Sequence, residues 1–353
     1  MATVVITGGS GFLGSRLARE LLAAGSIDVA GSGERRIDRL NLIDRAPVPA
    51  DLTADDRVTV TGGDLTDLLD PAPDRHSAHA ASDALAEADV IFHLAAAVSG
   101  ECESDFDLGM HANLLATQRL LAECRAQGNL PVVVFASSVA VFGGTANNPL
   151  PAVVDDGTLP VPQSSYGTQK ILIEYLLADY TRKGFLRGRS VRLMTAVVRP
   201  GRPNAAASGF LSSIIREPIA GQRATCPVSP DTEVALASPA RAIEGLMCAA
   251  TSTDAAWGDR TGVNLPALTV TVADMVAALE RAAGPSASAL IDWTPDPAVE
   301  RLFANWPARV RADRAARLGL APDPDIDSVI ALHVAETAAQ NAESAGPQGP
   351  ALS

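Results

Sequence analysis

Tyr166 and Lys170, in the segment YGTQK, are the pair in this sequence best suited to moving a proton. On a helix, a spacing of four puts both side chains on one face. Free tyrosine titrates near ~10, and a nearby ammonium favours the phenolate and lowers that value. Tyr166 can then take the proton of a substrate hydroxyl. Ser138 stands just past the apolar run PVVVFAS, where its hydroxyl can orient the substrate oxygen and stabilise its charge.

A proton acceptor needs a partner to receive the electrons, and the N-terminus supplies a candidate cradle. The loop TGGSGFLG carries both Gly9-x-Gly11-x-x-Gly14 and Gly8-x-x-Gly11-x-x-Gly14. It follows a strand-like run and opens a helix-like one, the context in which backbone amides approach a pyrophosphate. Gly8, Gly11, Phe12, Leu13 and Gly14 are therefore candidate cofactor contacts. Asp44 ends the run LNLID, where a carboxylate accepts from ribose hydroxyls and repels a 2′-phosphate, favouring NAD over NADP. Asp64 and Leu65 follow a third strand and suit the adenine edge. Leu94, Ala95 and Ala96 end a fourth and leave room for the cofactor backbone. In this reading Lys170 also holds the nicotinamide ribose, and hydride leaves the substrate for the nicotinamide. His93 reads as a packed strand histidine and the pair His76 and His79 as solvated.

These residues require a frame. Short β-branched runs alternate with helical stretches over the first 200 residues: TVVIT, LNLID, RVTVTGGDL, ADVIFHLAA, PVVVFASS and SVRLMTAVVRPG, with helices near Phe12–Gly25, Asp107–Gly128 and Tyr166–Lys183. Segment 26–38 reads as a polar connector and Asp70 to Ser82 as a loop. Alternation of this kind predicts an α/β, doubly wound parallel-sheet Rossmann fold over residues 1–200. Residues 201–334 read as a smaller substrate lobe interleaved with the sheet, with helices over Pro239–Ala250 and Val272–Ala283. Residues 335–353 read as a disordered tail.

Composition narrows the function. The formal charge of −13 disfavours non-specific contact with nucleic acid, whose phosphates need a basic face. There is no apolar run of membrane-spanning length, and MATVVITGGSGFLG lacks the basic start of a signal peptide, so a cytoplasmic location without membrane contact is expected. Cys102, Cys124, Cys226 and Cys248 form no C-x-x-C pair, and no metal site is expected.

The segments TGGSGFLG, HLAAAV, FASSVAVFGG and YGTQK together resemble the extended short-chain dehydrogenases, the NAD-dependent epimerase/dehydratase family, from about Thr3 to Leu332. The resemblance implies that Asn113, on the long helix after the fourth strand, joins the catalytic set. It also implies cofactor contacts around Arg199-Pro200-Gly201, Pro200 among them, and a homodimer formed through the helices near Asp107–Gly128 and Tyr166–Lys183. Phe142 stands where many members have tyrosine. ALASPAR (Ala235–Arg241) replaces the Arg-Asp-Tyr-like segment of the nucleotide-sugar enzymes. SGECESDFDLG and VVRPGRPNAAASGFLSSIIREPIAG are most similar to members that oxidise a four-carbon sugar acid. Ser99, Asn204 and Ser208 are candidate contacts for its oxygens. Arginine suits a carboxylate, because its planar fork binds both oxygens. The candidates are Arg202, Arg216 and Arg241, with Arg216 preferred at a helix end near Pro218. The expected function is NAD-dependent oxidation of a small sugar acid. The alternatives are a sugar epimerase or dehydratase, which returns the hydride, and a dinucleotide sensor without chemistry.

Overall fold

The computed structural model describes the backbone of residues 1–70, 77–201 and 206–344. Its centre is a sheet whose strands are apolar on both faces, as parallel strands covered by helices must be. Val58–Gly62, Glu34–Asp44, Ala2–Thr7, Val90–His93, Val132–Ser138, Arg187–Leu193 and Val263–Asn264 lie side by side in that order, all parallel. The order reverses between Ala2–Thr7 and Val90–His93. In a doubly wound sheet a ligand crevice opens at that switch point, beyond the carboxyl ends of the strands.

The polar stretch before Asp44 is not a connector. Ser26–Asp28 pairs antiparallel with the first residues of Glu34–Asp44, and the turn between them uses Ala30, Gly31 and Gly33 at positive φ. This hairpin explains the long spacing from the glycine loop to Asp44. The reading of a loop to Ser82 is also corrected, since Ser77–Ala86 is helical. The helix Pro239–Thr251 packs on one face of the sheet, where Ile243, Leu246 and Ala250 join Val4, Ile6 and Val134 in one core. Residues beyond 200 thus contribute to the core of the sheet domain.

The run Ser190–Gly201 splits instead of forming one strand. Arg187–Leu193 stays in the main sheet, while Thr195–Ala196 pairs with Glu233–Ala237, which in turn pairs with Leu268–Thr271. A second core forms there around Leu211, Ile214, Met275 and Phe303. The C-terminal helix Ile326–Ser344 reaches ten residues into the segment read as a tail, and Val329 and Ile330 seat it on this second core. Its Glu336 pairs with Arg16 on the helix Phe12–Ala24.

Candidate active site

The floor of the crevice follows from two close backbone approaches. A Cβ on Gly14 would lie 2.0 Å from the Gly8 carbonyl oxygen, so only glycine lets the helix Phe12–Ala24 start against the loop. That helix has no side-chain cap, which leaves its first amides free for an anionic ligand. On the other wall, a Cβ on Gly167 would lie 2.0 Å from the Ala140 carbonyl oxygen. The helix Ser165–Arg182, capped by Ser164 on the Gly167 amide, therefore sits directly against the turn after Ser138. This contact brings Tyr166 and Lys170 to the strand end.

Two adjoining cavities of about 750 and 920 Å³ run along the crevice. Gly8, Gly11, Asp44, Asp64, Leu65, Leu94, Ala95 and Ala96 line the first. Gly8, Gly11, Phe12, Leu13, Gly14, Leu94, Ala96, Ser138, Tyr166 and Lys170 line the second. Asp44 accepts from the Ser10 and Ala46 amides, which fixes its carboxylate at the glycine loop. Asp64 caps the helix Leu65–Leu68 and stands 3.6 Å from Arg45. Pro200 lies outside both cavities, in a groove with Phe12 and Arg16.

A third cavity, beyond Tyr166, is lined by Ser99, Ser138, Thr195, Arg199, Ser208 and Trp306, among others. Tyr166 and Ser138 line both this pocket and the second cavity of the crevice, so they stand at the seam. Ser138 Oγ accepts from the Ala140 amide at 3.1 Å, which leaves its proton to donate. Lys170 is buried, with Nζ 2.8 Å from the Ala136 carbonyl oxygen, and burial lowers its pKa to about 8. Behind it, Glu174 is held by Arg192 at 2.7 Å and by Ser137, which locks the helix to two strands.

Tyr166 departs from the expectation. Burial pushes its hydroxyl up to about 12, while the Arg199 guanidinium and the Ser138 hydroxyl pull the other way. The main cation acting on it is Arg199, since the Lys170 ammonium is drawn down to Ala136, 5.4 Å from the tyrosine ring centre. His93 is a packed strand residue: it lies between Thr7 Oγ1 at 2.6 Å and Thr117 Oγ1 at 2.8 Å, and burial lowers its pKa to about 3.

Asn113 does not line the pocket. It sits in a π-helical turn, Met110–Leu115, with Oδ1 accepting from the Ala97 amide at 2.7 Å and Nδ2 donating to Gln169 at 2.7 Å. It thus ties the catalytic helix to the loop after Val90–His93, as a positioning residue. Arg216 also points away from the pocket: its nitrogens reach the Arg199 carbonyl oxygen at 2.6 Å and Glu217 at 2.5 Å. Arg241 pairs with Glu244. Arg202 and Asn204 lie outside the described residues, as does His76. Thr195 and Trp306 are pocket residues that the sequence reading did not select, and Arg199, named there only within a cofactor stretch, lines this pocket as well. For Arg199 the available signal was a charge closing the apolar run TAVV.

Comparison with known proteins agrees with this geometry. The model of the NAD dependent epimerase/dehydratase family matches residues 4–234. A D-erythronate dehydrogenase of Cupriavidus necator is 48% identical over 93% of this chain and 96% of its own length. One of Haemophilus influenzae is 39% identical over 93% and 97%. A crystal structure described as a nucleoside-diphosphate-sugar epimerase from Agrobacterium tumefaciens superposes with a TM-score of 0.83 at 38% identity, covering 94% of this chain and 93% of that one. With the glycine loop, the strand-end serine and the tyrosine–lysine helix face in one crevice, the chain belongs to the NAD-dependent epimerase/dehydratase family.

Proposed function

We propose that this protein is an NAD-dependent dehydrogenase that oxidises D-erythronate at C2 to 2-dehydro-D-erythronate. The observation that carries the reading is the likeness, along almost the whole chain, to two D-erythronate dehydrogenases. The crevice fits the cofactor: an uncapped helix N-terminus and a loop that tolerates no Cβ at Gly14 suit a pyrophosphate. Asp44 would face the adenosine ribose and favour NAD over NADP. Lys170 would hold the nicotinamide ribose. Bound NAD supplies the acceptor for the hydride leaving C2 and, when oxidised, a positive charge that favours the tyrosine phenolate.

The chain's own residues do the rest. Ser138, whose Oγ accepts from the Ala140 amide, turns its proton from Tyr166 to the substrate oxygen and fixes its direction. Tyr166 removes the hydroxyl proton as the carbonyl forms. Val98 and Met194 line both cavities and give the seam an apolar wall beside the tyrosine. Purified protein with NAD and D-erythronate should generate NADH absorbance, and more slowly with five- and six-carbon acids. Interconversion of nucleotide sugars without net NADH would replace this reading by epimerisation. The reading includes a homodimer, supported by the exposed Phe106, Leu172 and Tyr175 on the helices expected to pair, with a dimer mass in light scattering as its test.

A further inference from the structure

The lobe's arginines divide by what they face. Arg216, Arg223, Arg241 and Arg309 each pair with a carboxylate. Arg199 pairs with none among the described residues. Its Nε donates to the Ala196 carbonyl oxygen at 3.2 Å, and its terminal nitrogens have no hydrogen-bond partner there. Yet its surroundings are dry enough that burial lowers its pKa. A partly desolvated cation without a counter-charge is costly unless a ligand supplies the anion.

The backbone holds this side chain in place from two sides. The Arg199 amide donates to Ser212 Oγ at 3.0 Å, and its carbonyl accepts from Arg216 at 2.6 Å. Both partners belong to the helix Gly209–Ile219, a rigid element of the second core. The guanidinium lines the same wall as Ser138 and Tyr166, and its charge acts on the tyrosine hydroxyl. In a 2-hydroxy acid the carboxylate and the reacting hydroxyl sit on adjacent carbons. A cation that binds the carboxylate must therefore stand beside the proton acceptor, where Arg199 stands and where Arg216 and Arg241 do not.

We propose that Arg199 anchors the substrate carboxylate through its two terminal nitrogens, and that Arg216 is the positioning residue that holds Arg199 there. This deepens the D-erythronate reading and rests on it for the substrate's identity. The test is calorimetric binding to the NADH-loaded protein, which needs no turnover. D-erythronate is compared with its uncharged amide. Wild-type protein should bind the acid more tightly than the amide. Arg199→Gln should weaken the acid by roughly 10- to 100-fold, the range for a charge-assisted hydrogen bond, while amide and NADH affinities hold. Arg199→Lys should recover only part, since a point charge lacks the planar fork. Arg216→Gln should shift the acid in the same direction by less. Equal losses for acid and amide would overturn the anchor, as would a matching loss of NADH affinity, because Arg199 also borders the cofactor cavity. Arg199-dependent acid binding without NADH formation from NAD would retain the anchor and remove the D-erythronate reading.

Discussion

The cofactor crevice and the substrate pocket meet at Tyr166 but are built by different means. The crevice is made largely of backbone: a glycine loop, an uncapped helix end and the small residues Ala95 and Ala96 at a strand end. Among its few polar side chains is Asp44, fixed by the Ser10 and Ala46 amides. The pocket is made of side chains from six places along the chain: Ser99, Ser138, Tyr166, the Thr195–Arg199 segment, Ser208 and Trp306. The first design, being backbone, is indifferent to the substrate and suits a pyrophosphate. The second, built of side chains, is where selection of a substrate would lie. In this chain it presents Arg199, which pairs with no carboxylate among the described residues, to a small, partly open space of about 470 Å³, suited to a compact acid.

If the two halves meet only at the seam, Tyr166→Phe should spare both and remove the chemistry between them. Loss of a positioned general base typically costs ~10²–10⁴-fold in rate, so kcat should fall by about three orders of magnitude. NADH and D-erythronate affinities, read by fluorescence and calorimetry, should stay near wild type. A variant that turns over normally would show that the proton leaves by another route.

Asp44→Ala should disturb one half alone. Its carboxylate is fixed by the Ser10 and Ala46 amides at the loop, so removal deletes a ribose acceptor and loosens the turn. NAD affinity should fall by about tenfold, the scale of a hydrogen bond to a charged group, and discrimination against NADP should relax. Acid binding to the cofactor-saturated variant should hold. If NAD and NADP titrate as in wild type, Asp44 does not face the ribose.

The same division explains what the sequence disclosed. TGGSGFLG and YGTQK are contiguous and carry their own context, so the crevice and the proton-transfer pair are legible from spacing. The pocket depends on where the chain leaves the sheet. SVRLMTAVVRPG reads as one apolar run, and no periodicity marks Met194 as the point where it crosses from one sheet to another. That crossing turns Thr195 and Arg199 into the pocket. Arg216 looked like the anchor because it sits near a helix end, but its fork turns back onto the Arg199 carbonyl and Glu217. The hairpin at Ser26–Asp28 was hidden by the charged Glu34, Arg35 and Arg36, which polarity alone assigns to a loop. Asn113 was legible as a residue type, but its role behind the pocket follows from packing against Ala97 and Gln169.

The smallest expected effect concerns stability at the seam. Lys170 is buried and its pKa is lowered from 10.5 to about 8, chiefly because burial disfavours the charged form. Below about pH 8 both folded and unfolded chains carry the proton, and the folded protein bears the full penalty of the buried charge. Between about 8 and 10.5 the unfolded chain binds the proton while the folded one releases it, so this contribution to stability rises with pH. Each pK unit corresponds to ~1.4 kcal/mol, partly offset by the hydrogen bond from the ammonium to Ala136, on the scale of about 1.5–3 kcal/mol for a charged group. Lys170→Met keeps the side chain's length without its charge. It should therefore be inactive, yet more stable at pH 7 by on the order of 1–2 kcal/mol, or a few degrees in melting temperature. That advantage should shrink as the pH rises from about 8 toward 10.5. Thermal melts of both proteins across that range provide the check. A variant less stable than wild type at pH 7 would mean that the ammonium supports the fold as well as the chemistry, and that the crevice wall is held by this side chain as much as by its backbone.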